Sequence, residues 1–139
     1  MNIERAIQIA VAAHAGIKDK GGKPYILHPI KVMMRVETEE EQIVAILHDV
    51  VEDTDWTFDA LRNEGFSETV IEALETVTKQ SEDEDYEDFI KRSLRNDIGR
   101  KVKIADLREN LGVTRIGELS EKDIKRINKY KKALQILKS

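Results

Sequence analysis

The segment Ile43-Val44-Ala45-Ile46-Leu47-His48-Asp49-Val50-Val51-Glu52-Asp53 sets four polar residues into an otherwise apolar stretch. Thr38 followed by Glu41 is a capping-box signature, so a helix is expected to open there and run through the segment. A helix that is apolar on most sides is buried. Burying His48 and Asp49 is costly unless they are paired or bind a metal. Residues four apart share a helix face, so His48 is expected over Glu52 and Asp49 over Asp53. Carboxylates this close repel one another, and a divalent cation relieves the repulsion. The plain alternative is a hydrogen-bonded His–Asp pair. The two further carboxylates at face-sharing spacing favour the metal.

Outward from this segment the pattern stays helical. Ile3, Ala6, Ile7, Ala10 and Val11 recur at helical spacing, which predicts a first helix from Ile3 to His14, ended by Gly16. Gly21, Gly22 and Pro24 punctuate the next stretch, and a helix is expected to restart at Pro29 with Ile30, Val32 and Met33. Thr57 is placed to cap a short helix carrying Phe58 and Leu61, and Ser67 one carrying Val70, Ile71, Leu74 and Val77. Glu82 to Asp88, with six acids in seven residues, flanks or begins a helix through Phe89, Ile90 and Leu94. Residues 100–112 read as another helix, stopped by Gly112, and Ser120 and Asp123 offer caps for a final basic helix to Leu137. No stretch alternates for long as a strand does. The expected fold is all-α, with seven or eight helices in one domain spanning residues 1–139.

Composition narrows the function classes. The chain has 139 residues, the size of one domain, with 40% hydrophobic and 36% charged residues. Cysteine is absent, which excludes disulfides, thiolate metal sites and cysteine nucleophiles. No apolar run approaches the ~20 residues of a membrane span. The N-terminal MNIERAIQIA lacks a signal-peptide pattern, so a cytoplasmic location is expected. The net charge of −4 argues against nucleic acid as a partner. The seven basic residues from Lys122 to Lys138 are expected on the solvated side of an amphipathic helix. Ile124, Ile127, Tyr130, Leu134 and Leu137 would form its apolar side. The acidic run is expected to be solvated as well.

Two more places could carry chemistry. Asp106 lies between Ala105 and Leu107, with Asn110 four residues on along the same face. His28 stands just before Pro29. Taken singly, Asp106 and Asn110 read as helix-end residues, and His28 as an N-terminal cap or a buried histidine with one partner.

Taken together, these segments resemble a known family. Gly22-Lys23-Pro24-Tyr25-Ile26-Leu27-His28-Pro29-Ile30-Lys31-Val32 is similar to the GxPYixHPixV segment of the RelA/SpoT-type alarmone hydrolases. Ala45 to Thr54 is similar to their aaLLHDvvEDT segment, and Val102 to Asp106 with Asn110 to their vKlADrlhN segment. The resemblance runs from the first helix to about residue 112, and the chain is the size of the stand-alone small alarmone hydrolases. It implies an HD-domain helical bundle in which His28, His48, Asp49 and Asp106 bind a divalent metal, usually Mn²⁺ in this family. Two imidazoles and two carboxylates leave positions open for water and phosphate. Glu52 and Asp53 would together orient and deprotonate the attacking water, Glu52 as general base and Asp53 as its partner. Asn110 would hold the sugar or phosphate region of a nucleotide, and Lys20, with Lys23 beside it, would neutralise phosphates. The family reaction removes pyrophosphate from the 3′ position of guanosine tetra- or pentaphosphate, leaving GDP or GTP.

The resemblance breaks at two positions. Where the family commonly has an arginine against the guanine ring, this chain has Asp19, and a carboxylate cannot stack as a guanidinium does. Where the family has an arginine two residues after the motif asparagine, this chain has Gly112. Lys18 and Arg115 are the nearby cations that could compensate. Both departures touch the base pocket and leave the implied metal ligands intact. They keep a phosphohydrolase of other nucleotides in view beside the alarmone reading. A non-catalytic nucleotide-binding module is the third possibility, and the intact ligand and water-activating set argues against it. His14 reads as a packing or outer hydrogen-bonding residue. The oligomeric state is left open.

Overall fold

The computed structural model describes residues 2–112 and 120–138. They are all-α, as expected, with nine helical segments and a single isolated β-bridge, Lys18 to Pro24. In chain order these are α1 (Ile3–Ala13), α2 (Leu27–Met34), α3 (Glu39–Leu47), α4 (Val50–Asp53), α5 (Phe58–Asn63), α6 (Glu68–Thr76), α7 (Tyr86–Leu94), α8 (Asp97–Leu111) and α9 (Glu121–Lys138). None of these helices is long and apolar enough to cross a membrane.

Side chains start the helices where the sequence places caps. Thr38 accepts the Glu41 N–H at 3.1 Å, and Glu41 Oε1 accepts the N–H groups of Glu37 at 3.1 Å and Thr38 at 3.3 Å. Thr57 and Ser67 cap α5 and α6 in the same way, and Asp85, inside the acidic run, proves to be the cap of α7. Ser120 and Asp123 bond each other's N–H groups ahead of α9. Two starts differ from expectation. α2 begins at Leu27, so Pro29 is its third residue, still within the first turn, where a missing N–H costs no helical bond. α8 begins at Asp97, because Asn96 accepts the Gly99 N–H at 2.8 Å. At its other end Gly112 takes the C-cap position in right-handed conformation, at φ −68°.

The ninth segment comes from one long expected helix that divides at His48 and Asp49. His48 N–H donates to the Ala45 carbonyl at 3.4 Å, and His48 Nδ1 lies 2.6 Å from the same oxygen. That carbonyl is therefore occupied from His48 and does not carry the ladder on to Asp49. The bond pattern resumes with Asp53 N–H to the Asp49 carbonyl at 2.9 Å.

α3 is the central element. Its residues Ile43 to Leu47 are all buried, and it packs on α1, α2, α6 and α8. The main core joins α1, α2, α3, α6 and the start of α8. A second cluster joins Ile90, Leu107, Ala133 and Leu137 between α7, α8 and α9. Two apolar residues assigned to helix stripes face outward instead. Val11 is 47% exposed, with Ile9 buried in its place, and Ile124 is 47% exposed because α9 packs through its later turns.

Candidate metal centre

α2, the α3–α4 bend and α8 converge on four residues far apart in sequence. His28 stands in the first turn of α2, His48 and Asp49 form the bend, and Asp106 lies on the buried face of α8. His28, His48 and Asp49 can each bring one ligand atom within 4.8 Å of the others. Asp106 Oδ1 is 2.8 Å from His28 Nε2 and 3.5 Å from His48 Nε2. Asp49 Oδ2 is 3.1 Å from His48 Nε2 and also accepts the Tyr25 hydroxyl.

The bend orients His48. Its Nδ1 faces the Ala45 carbonyl and donates to it, so Nε2 points a lone pair toward Asp49 and Asp106. Nε2 is buried without a well-formed hydrogen bond. A lone pair against two carboxylates is unfavourable unless a cation or a proton lies between them. The electrostatics record the same need. Burial opposes charge on His48, yet Asp49 and Asp106 outweigh it and raise its pKa well above the usual 6.5. Burial raises Asp49, and His48 outweighs that effect and brings it to about 2. Burial also raises Asp106, while Lys103 and the two imidazoles pull it well below the carboxylate range. Two imidazoles, two carboxylates and a locked tautomer are a donor set that fits a divalent cation.

Beside the cluster is a cleft of about 740 Å³. Glu52 and Asp53 of α4 form one wall, and Thr78 to Glu82 another. Asp53 is pushed up to about 6, first by partial burial and then by Asp49 and Glu52. Glu52 does not stack with His48 as the helix register suggested. The bend separates them, and Glu52 Oε1 accepts the Lys79 N–H at 2.9 Å.

The other expected contacts are spread out. Asn110 lies one turn beyond Asp106 on α8, half-buried. Lys20 sits in an exposed turn, where its charge is felt by Asp123 at the start of α9. In that turn Asp19 Oδ1 accepts the N–H groups of Gly21 and Lys23, both at 2.9 Å, and Gly22 takes φ +81°. Lys18 is exposed in the bridge to Pro24, and Arg115 lies outside the described residues. His14 is buried beneath the cluster, edge-on to Tyr25 at 5.0 Å, as a packing residue. Glu84 of the acidic run is not solvated: it pairs with Arg92 at 2.8 Å.

Sequence reasoning gave no role to Tyr25 or Lys103. Tyr25 holds Asp49, and Lys103 Nζ lies 3.0 Å from Asp106 Oδ2. The signal for Lys103 was its place three residues before Asp106, on the same helix face.

No model of a known protein family matches the chain. Individual proteins do. A guanosine-3′,5′-bis(diphosphate) 3′-pyrophosphohydrolase of Aquifex aeolicus is 41% identical over 81 residues, covering 55% of this chain and 12% of that protein. A GTP pyrophosphokinase of Streptomyces coelicolor is 40% identical over 81 residues, covering 55% of this chain and 9% of that protein. The chain thus spans about a tenth of the length of these relatives. In structure it is similar to a metazoan ortholog of SpoT described as hydrolyzing ppGpp, with a TM-score of 0.80 and 24% identity. That match covers 99% of this chain and 85% of the other and establishes the fold. By sequence and by fold together, the chain is an HD-type helical relative of the RelA/SpoT proteins.

Proposed function

We propose that residues 1–139 form one metal-dependent phosphohydrolase domain that removes the 3′-pyrophosphate of guanosine tetra- or pentaphosphate, leaving GDP or GTP. The observation that carries this reading is the His48 imidazole, held by the Ala45 carbonyl so that Nε2 faces Asp49 and Asp106 beside His28. The substrate class is supported by what the relatives are named to act on.

His28, His48, Asp49 and Asp106 would hold the ion, and Mn²⁺ suits their mixed nitrogen and oxygen donors. When bound, the ion supplies a Lewis acid that polarises a phosphorus–oxygen bond and acidifies water. The chain's own residues do the rest. Tyr25 and Lys103 fix the two carboxylates from behind. Glu52, tied to the Lys79 N–H, orients the attacking water. Asp53, pushed up to about 6, takes its proton near neutral pH. Asn110 would meet the sugar or phosphate region and Lys20 the outer phosphates. The expected partner is a small nucleotide, without nucleic acid or membrane, and the expected location is cytoplasmic.

A second reading, hydrolysis of another nucleotide, is favoured by Asp19. Its carboxylate is spent on the turn at Gly21 and Lys23, so no guanidinium stands there to stack on guanine.

The test is hydrolysis of guanosine 3′,5′-bispyrophosphate with Mn²⁺, following pyrophosphate and GDP, with Asp106→Ala in parallel. Turnover that needs both Asp106 and the ion supports the proposal. Metal binding without turnover moves the assignment to the second reading, to be pursued with a nucleotide panel. Unchanged metal content and rate in Asp106→Ala would overturn the ligand set.

A further inference from the structure

A second concave site lies away from the metal centre, between the end of α2, one face of α8 and the end of α9. It has a volume of about 590 Å³, within the range of small-molecule sites. None of the four candidate ligands lines it, nor do Glu52 and Asp53. Five cations do: Arg35, Arg100, Lys101, Arg108 and Lys138. In a chain of net charge −4, this is a local excess of the opposite sign.

The two arginines flanking the groove are held in one way. Arg35 donates from Nε to Glu109 at 2.8 Å, and Arg100 donates from Nε to the Leu137 carbonyl at 2.7 Å. Anchoring at Nε fixes the guanidinium plane and leaves the Nη groups, which make no hydrogen bond among the described residues. A fixed guanidinium with free Nη groups presents paired donors suited to phosphate oxygens. Arg108 and Lys138 are exposed and add charge without a paired acid among the described residues. Of the opposing carboxylates, Glu109 is engaged with Arg35. Glu41 is buried and engaged with two backbone N–H groups and Lys101. Only Glu37 is exposed at the edge. The floor is apolar, formed by Ile104 and the buried Val36 and Ala105.

We infer that this groove binds a nucleoside di- or triphosphate, its phosphates on the Arg35, Arg100 and Arg108 cations and its nucleoside on the Ile104 floor. The site is separate from the proposed reaction and does not depend on it.

The test uses the full chain in a chelator, which keeps metal-held phosphate out of the measurement. ADP and inorganic pyrophosphate are titrated separately while backbone amide resonances are followed. The expected result is saturable shifts at residues 35–37, 100–108 and 137–138, with ADP binding more tightly than pyrophosphate. Arg108→Glu should weaken both by about tenfold or more, as loss of a charge-assisted contact requires. Arg108 is exposed, so the variant should fold, and an unchanged amide spectrum without ligand checks this. Arg35→Gln should weaken binding independently. Shifts confined to the cleft beside Glu52, no saturation at millimolar ligand, or equal affinity in both variants and the parent would overturn the site. Equal affinity for ADP and pyrophosphate would remove the nucleoside from it.

Discussion

Lys103 and Asp106, one turn apart on α8, form a buried ion pair, with Nζ 3.0 Å from Oδ2 and both side chains at least nine-tenths covered. Asp106 divides its two oxygens between this ammonium and the His28 imidazole. The buried carboxylate therefore keeps its charge, which is the form a metal requires. Lys103→Met should leave that charge uncompensated at a cost of roughly 3–5 kcal/mol in chelator. A bound cation takes over the compensation, so the loss should shrink when Mn²⁺ is added. Thermal unfolding of both proteins with chelator and with Mn²⁺ checks this. An equal loss in the two conditions would show that Lys103 supports only the packing of α8.

Glu41 is the second buried carboxylate with a structural duty. Burial opposes its charge, but the N–H groups of Glu37 and Thr38 and the Lys101 ammonium outweigh it and lower its pKa below 4.5. The sign follows from linkage. A lowered folded value contributes stability above 4.5 that is lost as pH falls through that folded value. Glu41→Ala removes the acceptor of two N–H groups and should cost about 1–3 kcal/mol at neutral pH. Denaturant titrations at several pH values should show the gap between parent and Glu41→Gln closing below pH 4.5. A gap that stays constant through that window would mean the charge is not what stabilises α3.

Close helix approach makes a different prediction. A Cβ built on Gly99 would stand 2.1 Å from Thr76 Oγ1, where α6 meets α8. Gly99→Ala should therefore destabilise by about 1–3 kcal/mol despite its better helix propensity. Thr76→Ala removes the obstructing oxygen, so the double variant should regain most of the loss. A double-mutant cycle by urea unfolding measures this coupling, and simple additivity would place the strain elsewhere.

What was legible in the sequence was what is local. Thr38 with Glu41, Ser67 and Ser120 with Asp123 are bonds between a side chain and a backbone group three residues away, so spacing alone reveals them. The bend at His48 was not legible, because periodicity does not register an imidazole that captures the Ala45 carbonyl. Val11 and Ile124 continue apolar stripes yet face outward, because such a stripe can be wider than the surface that covers it. The contact between His28 and Asp106 spans 78 residues and no pattern encodes it. Family resemblance named both as ligands, and the packing of α2 on α8 shows how they meet. Lys103 lies within the Val102–Asp106 segment, but spacing does not tell which polar residues of a helix turn inward.

Asp53 gives the functional prediction its sign. Its pKa of about 6 arises from partial burial and from the charges of Asp49 and Glu52. A bound divalent cation offsets those charges, so the loaded protein should show this group at about 6 or lower. If Asp53 accepts the proton of the attacking water, the rate should fall as pH drops through that value, because only the carboxylate can act. Asp53→Asn should then lower kcat by about 10²–10⁴-fold with metal content unchanged, and the acid limb of the pH profile should disappear. Glu52→Gln keeps one acceptor for the Lys79 N–H and should lose less, with the limb retained. Rates from pH 5 to 9 with metal analysis on each variant separate the roles. A limb that survives in Asp53→Asn and vanishes in Glu52→Gln would exchange the two assignments.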